Sequence, residues 1–281
     1  MIVTIVGPTG VGKTKLSIML AKKYNAIVIN GDACQIYKEL NIGTAKITDE
    51  EKNGVEHLLF DIKCPNEEYS VSDYQKDLRN FLNIYKDRNI IIVGGTGLYL
   101  TAGLYDYKFS KINDDDYSKY SNEQLFSMCK NIDINCNIHV NNRVRLENFL
   151  KREDKTKIDP RLLYDVKFIG LTTERSILYK KIDERVLKMF ENGLVEEVKS
   201  LVNRYGITNI LKRAIGYKEV IMYLNDEISL EECILLIQKN SRNYAKRQYT
   251  WFNNKMDINW FLTDFDDFEK TYNKVCEYID K

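Results

Sequence analysis

Short apolar runs alternate with amphipathic segments over the first hundred residues of the chain. Residues 1–6, 26–30 and 89–93 are predicted strands, because each is a compact run rich in β-branched residues. Thr14–Tyr24 and Val71–Tyr85 carry their apolar residues at helical spacing and are predicted helices. This alternation predicts βαβ units, and therefore an α/β fold in which helices cover both faces of a parallel sheet.

The pattern changes after residue 105, where the chain becomes more polar. Helical segments near 122–130 and 140–151 predict a small helical insertion. The segments predicted after it are a strand at Phe168–Leu171 and helices over Arg175–Glu191, Val195–Tyr205 and Ser229–Phe252. The predicted domains are therefore a core of residues 1–105 and 166–281 and an insertion of residues 106–165.

A glycine-rich segment joins the first predicted strand to the first predicted helix and fits the pattern G-x-x-x-x-G-K-[ST]. In that context backbone N–H groups surround phosphate oxygens, and the helix adds the positive end of its dipole. Lys13 supplies a point charge, and Thr14 supplies a hydroxyl for Mg²⁺. The sequence thus predicts a P-loop NTPase-like sheet that binds a polyphosphate or diphosphate, with an ordinary glycine-rich turn as the alternative. The predicted phosphate-binding residues are Gly7, Pro8, Thr9, Gly10, Val11, Gly12, Lys13 and Thr14.

Two further segments follow predicted strands, at the edge where open α/β sheets bind their ligands. Asp32 lies one glycine beyond residues 26–30, and its carboxylate could coordinate Mg²⁺, act as a general base or cap a turn. Gly94–Gly97 follows residues 89–93, and its glycines allow a ligand to approach the backbone closely. Thr96 adds one hydroxyl to this segment, for which a simple turn is the alternative explanation.

The predicted C-terminal helix carries basic residues interleaved with aromatic ones. Lys239, Arg242 and Lys246 share one face, a pattern that suits phosphate contacts and base stacking. On spacing alone, a solvated helix face is the better explanation of that pattern. The face predicted to enter the core comprises Leu230, Ile234, Ile237, Tyr244 and Trp251.

Composition limits the classes of partner that the protein can have. The 281 residues carry a net charge of +1, so any nucleic-acid site has to be a local patch. No apolar run is long enough for a membrane span, and the N-terminus lacks the features of a signal peptide. The six cysteines form no C-x-x-C pair, which favours reduced thiols in a cytoplasmic protein, and we expect a monomer.

Several blocks of the sequence, taken in order, resemble one family, the bacterial tRNA dimethylallyltransferases (tRNA isopentenyltransferases). The blocks are Gly7–Thr14, Asp32–Lys38 continuing into Asn41–Lys46, His57–Asp61, Tyr69–Tyr74, Val93–Tyr99, Arg213–Tyr217 and Ala245–Trp251. The phosphate loop is generic, whereas the Asp-x-x-Gln-x-Tyr-Lys block with its Gly-Thr-Ala-Lys continuation is highly specific. One departure is Ala33, where the family usually has serine.

The resemblance implies a reaction and the residues that carry it. Dimethylallyl diphosphate would give its five-carbon group to N6 of the adenosine 3′ to the anticodon (position 37) of tRNA, and diphosphate would leave. Asp32 matches the family's general base, Thr96 an adenosine contact, and Lys13 and Arg213 groups that approach the diphosphate beside Mg²⁺. Contacts to the tRNA anticodon stem-loop are implied for Asp32, Ala33, Cys34, Gln35, Thr96, Arg145, Arg242, Lys246, Arg247 and Gln248.

Two other functions remain open at this point. A small-molecule P-loop kinase would share the phosphate loop and the fold, and it predicts ATP consumption without RNA affinity. A non-catalytic RNA-binding protein is the third hypothesis, because the insertion departs from the family pattern at His139-Val140-Asn141-Asn142, Asn148 and Lys151. Measurable turnover of any kind would exclude that third hypothesis.

Overall fold

A computed structural model describes residues 1–111, 113–153 and 160–281. The strands in this part of the chain are β1 (Ile2–Val6), β2 (Ala26–Asn30), β3 (His57–Leu58), β4 (Asn89–Val93), β5 (Val166–Thr172) and β6 (Asn259–Leu262). They form one sheet in the order β3-β2-β4-β1-β5-β6, and every neighbouring pair is parallel. The predicted α/β fold with a parallel sheet is therefore confirmed.

Helices lie between the strands and after the last of them. They are α1 (Lys13–Tyr24), α2 (Asp49–Lys52), α3 (Val71–Ile84), α4 (Gly97–Leu104), α5 (Asn122–Ile132), α6 (Arg143–Lys151), α7 (Arg175–Glu191), α8 (Leu194–Tyr205), α9 (Asn209–Arg213), α10 (Tyr217–Leu224), α11 (Leu230–Lys255) and α12 (Phe268–Asp280). None of the helices in the described ranges combines the length and the apolar character that crossing a membrane requires.

The central strands β1, β2 and β4 are almost entirely buried, which explains why their sequences are continuously apolar rather than alternating. Val28 of β2 belongs to one core, together with Leu16 of α1 and Val275 of α12. Its neighbour Ile29 belongs to a second core, together with Leu78 of α3. Since successive strand residues point to opposite faces, both faces of the sheet are covered.

The described chain divides into two compact units, Met1–Tyr105 with Leu162–Lys281, and Asp106–Arg161. The core resumes at Leu162, ahead of the predicted residue 166. This earlier return has a local cause, since Leu163 donates its N–H to the Leu104 carbonyl over 2.9 Å. The smaller unit has its own core, and residues 112 and 154–159 of the predicted insertion lie outside the described residues.

Several elements differ from the sequence-based expectations. Helix α4 starts directly at Gly97, where a turn was the alternative explanation. The elements without a predicted counterpart also include α2, β3, β6, α9, α10 and α12. Leu230 was expected in the core, but it is 42% exposed because it is the first residue of α11. The buried face of this helix instead includes Ala245 and Gln248.

The ends of β2 and β4 approach each other through two glycines. Gly31 donates its N–H to the Val93 carbonyl over 2.8 Å, and a Cβ on Gly94 would overlap the Gly31 backbone. Thr96 in turn donates its N–H to the Gly31 carbonyl over 3.1 Å. The chain therefore needs glycine at position 94 to bring the two strand ends together.

We expect Gly94→Ala to lower the free energy of unfolding by about 3 kcal/mol, because backbone atoms must move to admit the methyl group. Gly54→Ala is the matched control. Gly54 has a left-handed φ of 79°, but no described atom lies within 4 Å of a Cβ built there, so its loss should be about 1 kcal/mol. Urea denaturation measures both, and equal losses would contradict the steric explanation.

Candidate active site

A cavity of about 920 Å³ opens where the carboxyl ends of the strands meet. Its wall includes residues of the phosphate loop and of the first turns of α1, the segments that follow β2 and β4, and residues of α7 and α11. Open α/β sheets bind ligands at this edge. All the lining residues belong to the larger of the two compact units.

The phosphate loop owes its shape to glycine. Gly7 has φ 135° and Gly12 has φ 92°, and side chains rarely adopt such backbone conformations. A Cβ on Gly7 would overlap the Leu171 carbonyl, and one on Gly12 would come within 2.7 Å of the Phe268 ring. Because α1 begins at Lys13, the amino end of the helix faces the cavity and favours negative charge there.

Lys13 is folded back over its own loop. Its Nζ donates to the Gly7 carbonyl over 2.9 Å and to the Pro8 carbonyl over 2.7 Å. Burial and, to a smaller extent, the positive charge of Arg185 lower the pKa of Lys13, and Asp32 raises it, with a net result of about 7. An anion that binds beside Lys13 would stabilise the charged ammonium form and raise its pKa.

Arg185 of α7 is a second cation on this cavity, and the sequence analysis missed it. Its Nη1 donates to Thr9 Oγ1 over 2.7 Å, and its Nη2 donates to the Thr44 carbonyl over 3.2 Å. Burial lowers its pKa, and Asp32 opposes that shift. Neither Arg185 nor Lys13 forms an ion pair with a carboxylate of the described residues. Buried charges need partners, so the cavity suits a multiply charged anion.

Asp32 lies on the same cavity, immediately beyond β2. Its Oδ1 accepts the Cys34 N–H over 3.0 Å, and Thr96 Oγ1 accepts the Ala33 N–H over 3.0 Å. Burial raises the pKa of the Cys34 thiol to about 12, with a further contribution from Asp32, so this cysteine stays protonated. Asp32, Thr96 and the phosphate loop thus line the same cavity, as their positions after the strands predicted.

Comparison with known proteins identifies the family. A family model described as IPP transferase matches residues 35–255. The tRNA dimethylallyltransferases of Anoxybacillus flavithermus and Bacillus anthracis are 42% and 43% identical to the chain, and the alignments cover 99% of the chain and 96% and 95% of these relatives. The chain belongs to the IPP transferase family.

Solved structures of IPP transferases share the fold. The tRNA isopentenylpyrophosphate transferase of Bacillus halodurans is 38% identical, with a TM-score of 0.75 over 99% of this chain and 96% of that chain. A eukaryotic dimethylallyltransferase described as acting on tRNA is 27% identical, with a TM-score of 0.84 over 98% of this chain and 77% of that chain.

The residues predicted to bind diphosphate divide into two groups in this IPP transferase. The residues of the loop that line the cavity are Thr9, Gly10, Gly12, Lys13 and Thr14. Gly7, Pro8 and Val11 are buried beneath them and do not line the cavity. Their carbonyls instead have partners inside the protein, since those of Gly7 and Pro8 accept from Lys13 and that of Val11 accepts from Thr263.

The predicted RNA contacts on α11 also divide into two groups. Arg247 lines the cavity, whereas Lys246 is exposed outside it. Arg242 is bound to α7, because its guanidinium pairs with Asp183 and lies 5.8 Å from the centre of the Tyr179 ring. The expected RNA contact of Arg242 therefore finds no support in this geometry.

Gln248 lines the cavity although little of its surface is accessible. It is only 4% exposed, and its predicted contact with RNA stays a prediction. Its Oε1 accepts the Thr9 N–H over 3.2 Å, and its Nε2 donates to the Gly95 carbonyl over 3.0 Å. The side chain thus ties the phosphate loop to the segment that follows β4.

Other predicted RNA contacts are accessible. Ala33, Cys34 and Gln35 line the cavity, and Gln35 Nε2 donates to the Thr44 carbonyl over 3.2 Å. Arg213, the last residue of α9 and a predicted diphosphate contact rather than an RNA contact, is exposed and also lines it. Arg145 is exposed on α6, in the smaller compact unit.

A magnesium ion fits the donor groups of the cavity when a diphosphate is bound. Thr14 presents its side chain at the cavity surface, at the start of α1. Among the described residues, no group of three His, Cys, Asp or Glu side chains could hold a metal. Since Mg²⁺ commonly binds through few protein ligands plus phosphate oxygens and water, one threonine hydroxyl is a suitable anchor.

Proposed function

We propose that this IPP transferase moves the dimethylallyl group of dimethylallyl diphosphate to N6 of adenosine 37 of tRNA and releases diphosphate. The observation that carries the proposal is the meeting of two cations, Lys13 and Arg185, with the carboxylate of Asp32 on one cavity. The cations suit the leaving group, and the carboxylate suits the amine that attacks. The relatives named tRNA dimethylallyltransferase support this choice of substrates.

The chemistry follows from these positions. The C–O bond to the diphosphate breaks while a bond forms between the allylic carbon and the adenine nitrogen. Asp32 takes the proton that the amine loses, and the negative charge that develops on the leaving diphosphate is stabilised by Lys13, Arg185 and the amino end of α1. Mg²⁺ held at Thr14 would neutralise further charge on the same group. Arg213 lines the same cavity and adds a more exposed cation.

An apolar part of the cavity fits the tail of the donor. Ile182, Val186, Met189 and Ile237 line it, and each is at most 9% exposed. The first three lie on α7 beside Arg185, so a ligand that contacts this arginine through its phosphates meets apolar side chains next. Burial of a five-carbon tail against them excludes water from the reacting carbon.

Oligomeric state and location are further parts of the proposal. All the lining residues lie in one of the two compact units of the chain, so the proposed reaction needs no second copy, and we propose a monomer. The six cysteines carry free thiols, which supports a reducing compartment such as the cytoplasm, where tRNA is found.

Incubation with dimethylallyl diphosphate, Mg²⁺ and an unmodified anticodon stem-loop RNA tests the function. Mass spectrometry of the RNA should show the gain of one five-carbon unit on the adenosine 3′ to the anticodon. A stem-loop with guanosine at that position is the control. ATP is offered in a parallel reaction, and ATP consumption without modification of the RNA would support the small-molecule kinase instead.

The lowered pKa of Lys13 predicts how diphosphate binding depends on pH. Below pH 7 Lys13 is charged in the free and the bound protein alike, so it takes up no proton on binding. Above pH 7 the free amine is largely neutral, so binding a diphosphate takes up a proton and weakens by up to about tenfold per pH unit. Calorimetry with pyrophosphate in buffers of different ionisation enthalpy measures this uptake. The variant Lys13→Met should lack this proton uptake, and its data show how much uptake comes from the titration of pyrophosphate itself. Equal proton uptake by the two proteins would contradict the assignment of the pKa to Lys13.

A further inference from the structure

Asn30 is the last residue of β2 and is fully buried. Its side-chain amide forms hydrogen bonds with both backbone groups of Asp32. Oδ1 accepts the Asp32 N–H over 2.8 Å, and Nδ2 donates to the Asp32 carbonyl over 2.9 Å. A second bond of Nδ2 goes to the Leu59 carbonyl over 2.9 Å. An amide can both accept and donate, and Asn30 uses both abilities on one residue.

The surroundings of Asn30 hold this amide in place. Its backbone carbonyl accepts the Tyr74 hydroxyl over 3.0 Å. The Tyr74 ring is itself fully buried and stacks on Tyr99 with 4.3 Å between the ring centres. Rotation of the Asn30 side chain would therefore break three hydrogen bonds inside a packed core.

The carboxylate of Asp32 is oriented by the same short segment. Oδ1 already accepts the Cys34 N–H, whereas Oδ2 accepts no hydrogen bond from the described residues. The next peptide is held by Thr96, whose Oγ1 accepts the Ala33 N–H. Asn30 holds both the N–H and the carbonyl of Asp32. The direction of Oδ2 therefore depends mainly on the side-chain torsions of Asp32.

We infer that Asn30 is a positioning residue, which fixes the backbone of Asp32 so that its carboxylate meets the attacking amine. This inference rests on the proposed function of Asp32 as the general base. A displacement of about 1 Å at a reacting group can cost about a hundredfold in rate. Asn30 itself lies outside the set of residues that line the cavity and acts only through Asp32.

Asn30→Asp tests the inference with almost no change in volume. The carboxylate keeps an acceptor for the Asp32 N–H, but it offers lone pairs to the Asp32 and Leu59 carbonyls, where Nδ2 had donated. We expect kcat to fall by about 30-fold to 100-fold, with KM values for both substrates within about threefold. Asn89→Asp is the control. Asn89 is a residue of β4 that also donates its Nδ2 to a backbone carbonyl, and it lies outside the cavity.

A double-mutant cycle separates positioning from a general structural effect. In the Asp32→Asn background, Asn30→Asp should lower the residual turnover by less than about twofold, because the group that it positions is gone. The same 30-fold to 100-fold loss in both backgrounds would overturn the inference. Thermal unfolding is followed alongside to confirm that each variant is folded under the assay conditions.

Amide hydrogen exchange gives a readout that needs no turnover. The Asp32 N–H should exchange at least about tenfold faster in Asn30→Asp, because repulsion from the Asp32 and Leu59 carbonyls moves the new carboxylate and weakens its bond to that N–H. Asn89→Asp should leave this exchange unchanged. If the Asp32 N–H exchanged at an unchanged rate in Asn30→Asp and prenyl transfer were retained, the positioning role of Asn30 would be overturned. The proposed function would not be affected. Absence of prenyl transfer in the unaltered protein would overturn the proposed function, a result distinct from that one.

Discussion

Replacement of Asp32 by asparagine is expected to lower prenyl transfer by about 10²-fold to 10⁴-fold, the usual contribution of a general base. The change preserves the shape of the side chain, and the new amide oxygen can still accept the Cys34 N–H that Asp32 Oδ1 accepts now. What disappears is the ability to take a proton from the adenine amine. Binding of the stem-loop RNA and of pyrophosphate should therefore stay within about threefold of the unaltered protein.

Single-turnover measurements with saturating RNA report the chemical step directly. Fluorescence titration of labelled stem-loop RNA reports binding. Asp264→Asn is the matched control, because the Asp264 carboxylate also accepts backbone N–H groups in a turn and lies outside the cavity. Prenyl transfer by Asp32→Asn at the rate of this control would remove Asp32 from the role of base.

The parts of the site that sequence analysis found are those with local causes. The loop of residues 7–14 is recognisable because a strand, a glycine pattern and a helix follow one another without interruption. Asp32 was found by its place after β2, since the parallel sheet brings all such positions to one edge. In both cases the residues that determine the geometry lie within a few positions of the residue concerned.

The sequence could not show the hydrogen bonds of Arg185 and Gln248, because their partners are distant in sequence. Arg185 donates to Thr9 and to Thr44, and Gln248 accepts from Thr9, so each role depends on how whole helices pack on the loop. One signal was present, since Arg185 lies between Ile182 and Val186 on the apolar side of α7. A charged residue on such a stripe indicates either a buried partner or a ligand.

Helix α4 shows that secondary structure, too, can depend on contacts with residues that are distant in sequence. Its sequence contains Gly97 and Gly103, and glycine lowers helix propensity. The tertiary structure requires both, because a Cβ on Gly97 would overlap the Trp251 ring and one on Gly103 would overlap the Leu78 side chain. Close packing therefore outweighs local preference here, and local preference was all that the sequence could show.

Arg185→Met is expected to separate activity from stability. We expect kcat/KM for dimethylallyl diphosphate to fall by about 10²-fold to 10³-fold, because a cation facing the leaving group is lost. RNA binding should change little, since the change leaves Arg213 and Arg247 at the cavity in place. The kinetic assay varies the donor at saturating RNA, and the matched control is Arg175→Met, an exposed position at the start of the same helix.

The stability of Arg185→Met should move in the opposite direction to its activity. Arg185 is half-buried and has no carboxylate partner among the described residues. Desolvation lowers its pKa, so the charged form destabilises the free protein. Its removal costs two hydrogen bonds, to Thr9 and to Thr44, but relieves this penalty and the repulsion with Lys13. We expect an unfolding free energy equal to that of the unaltered protein or higher by about 1 kcal/mol. A cation that serves to bind an anion should destabilise the protein while no anion is bound. A variant that lost both activity and stability would therefore identify Arg185 as structural.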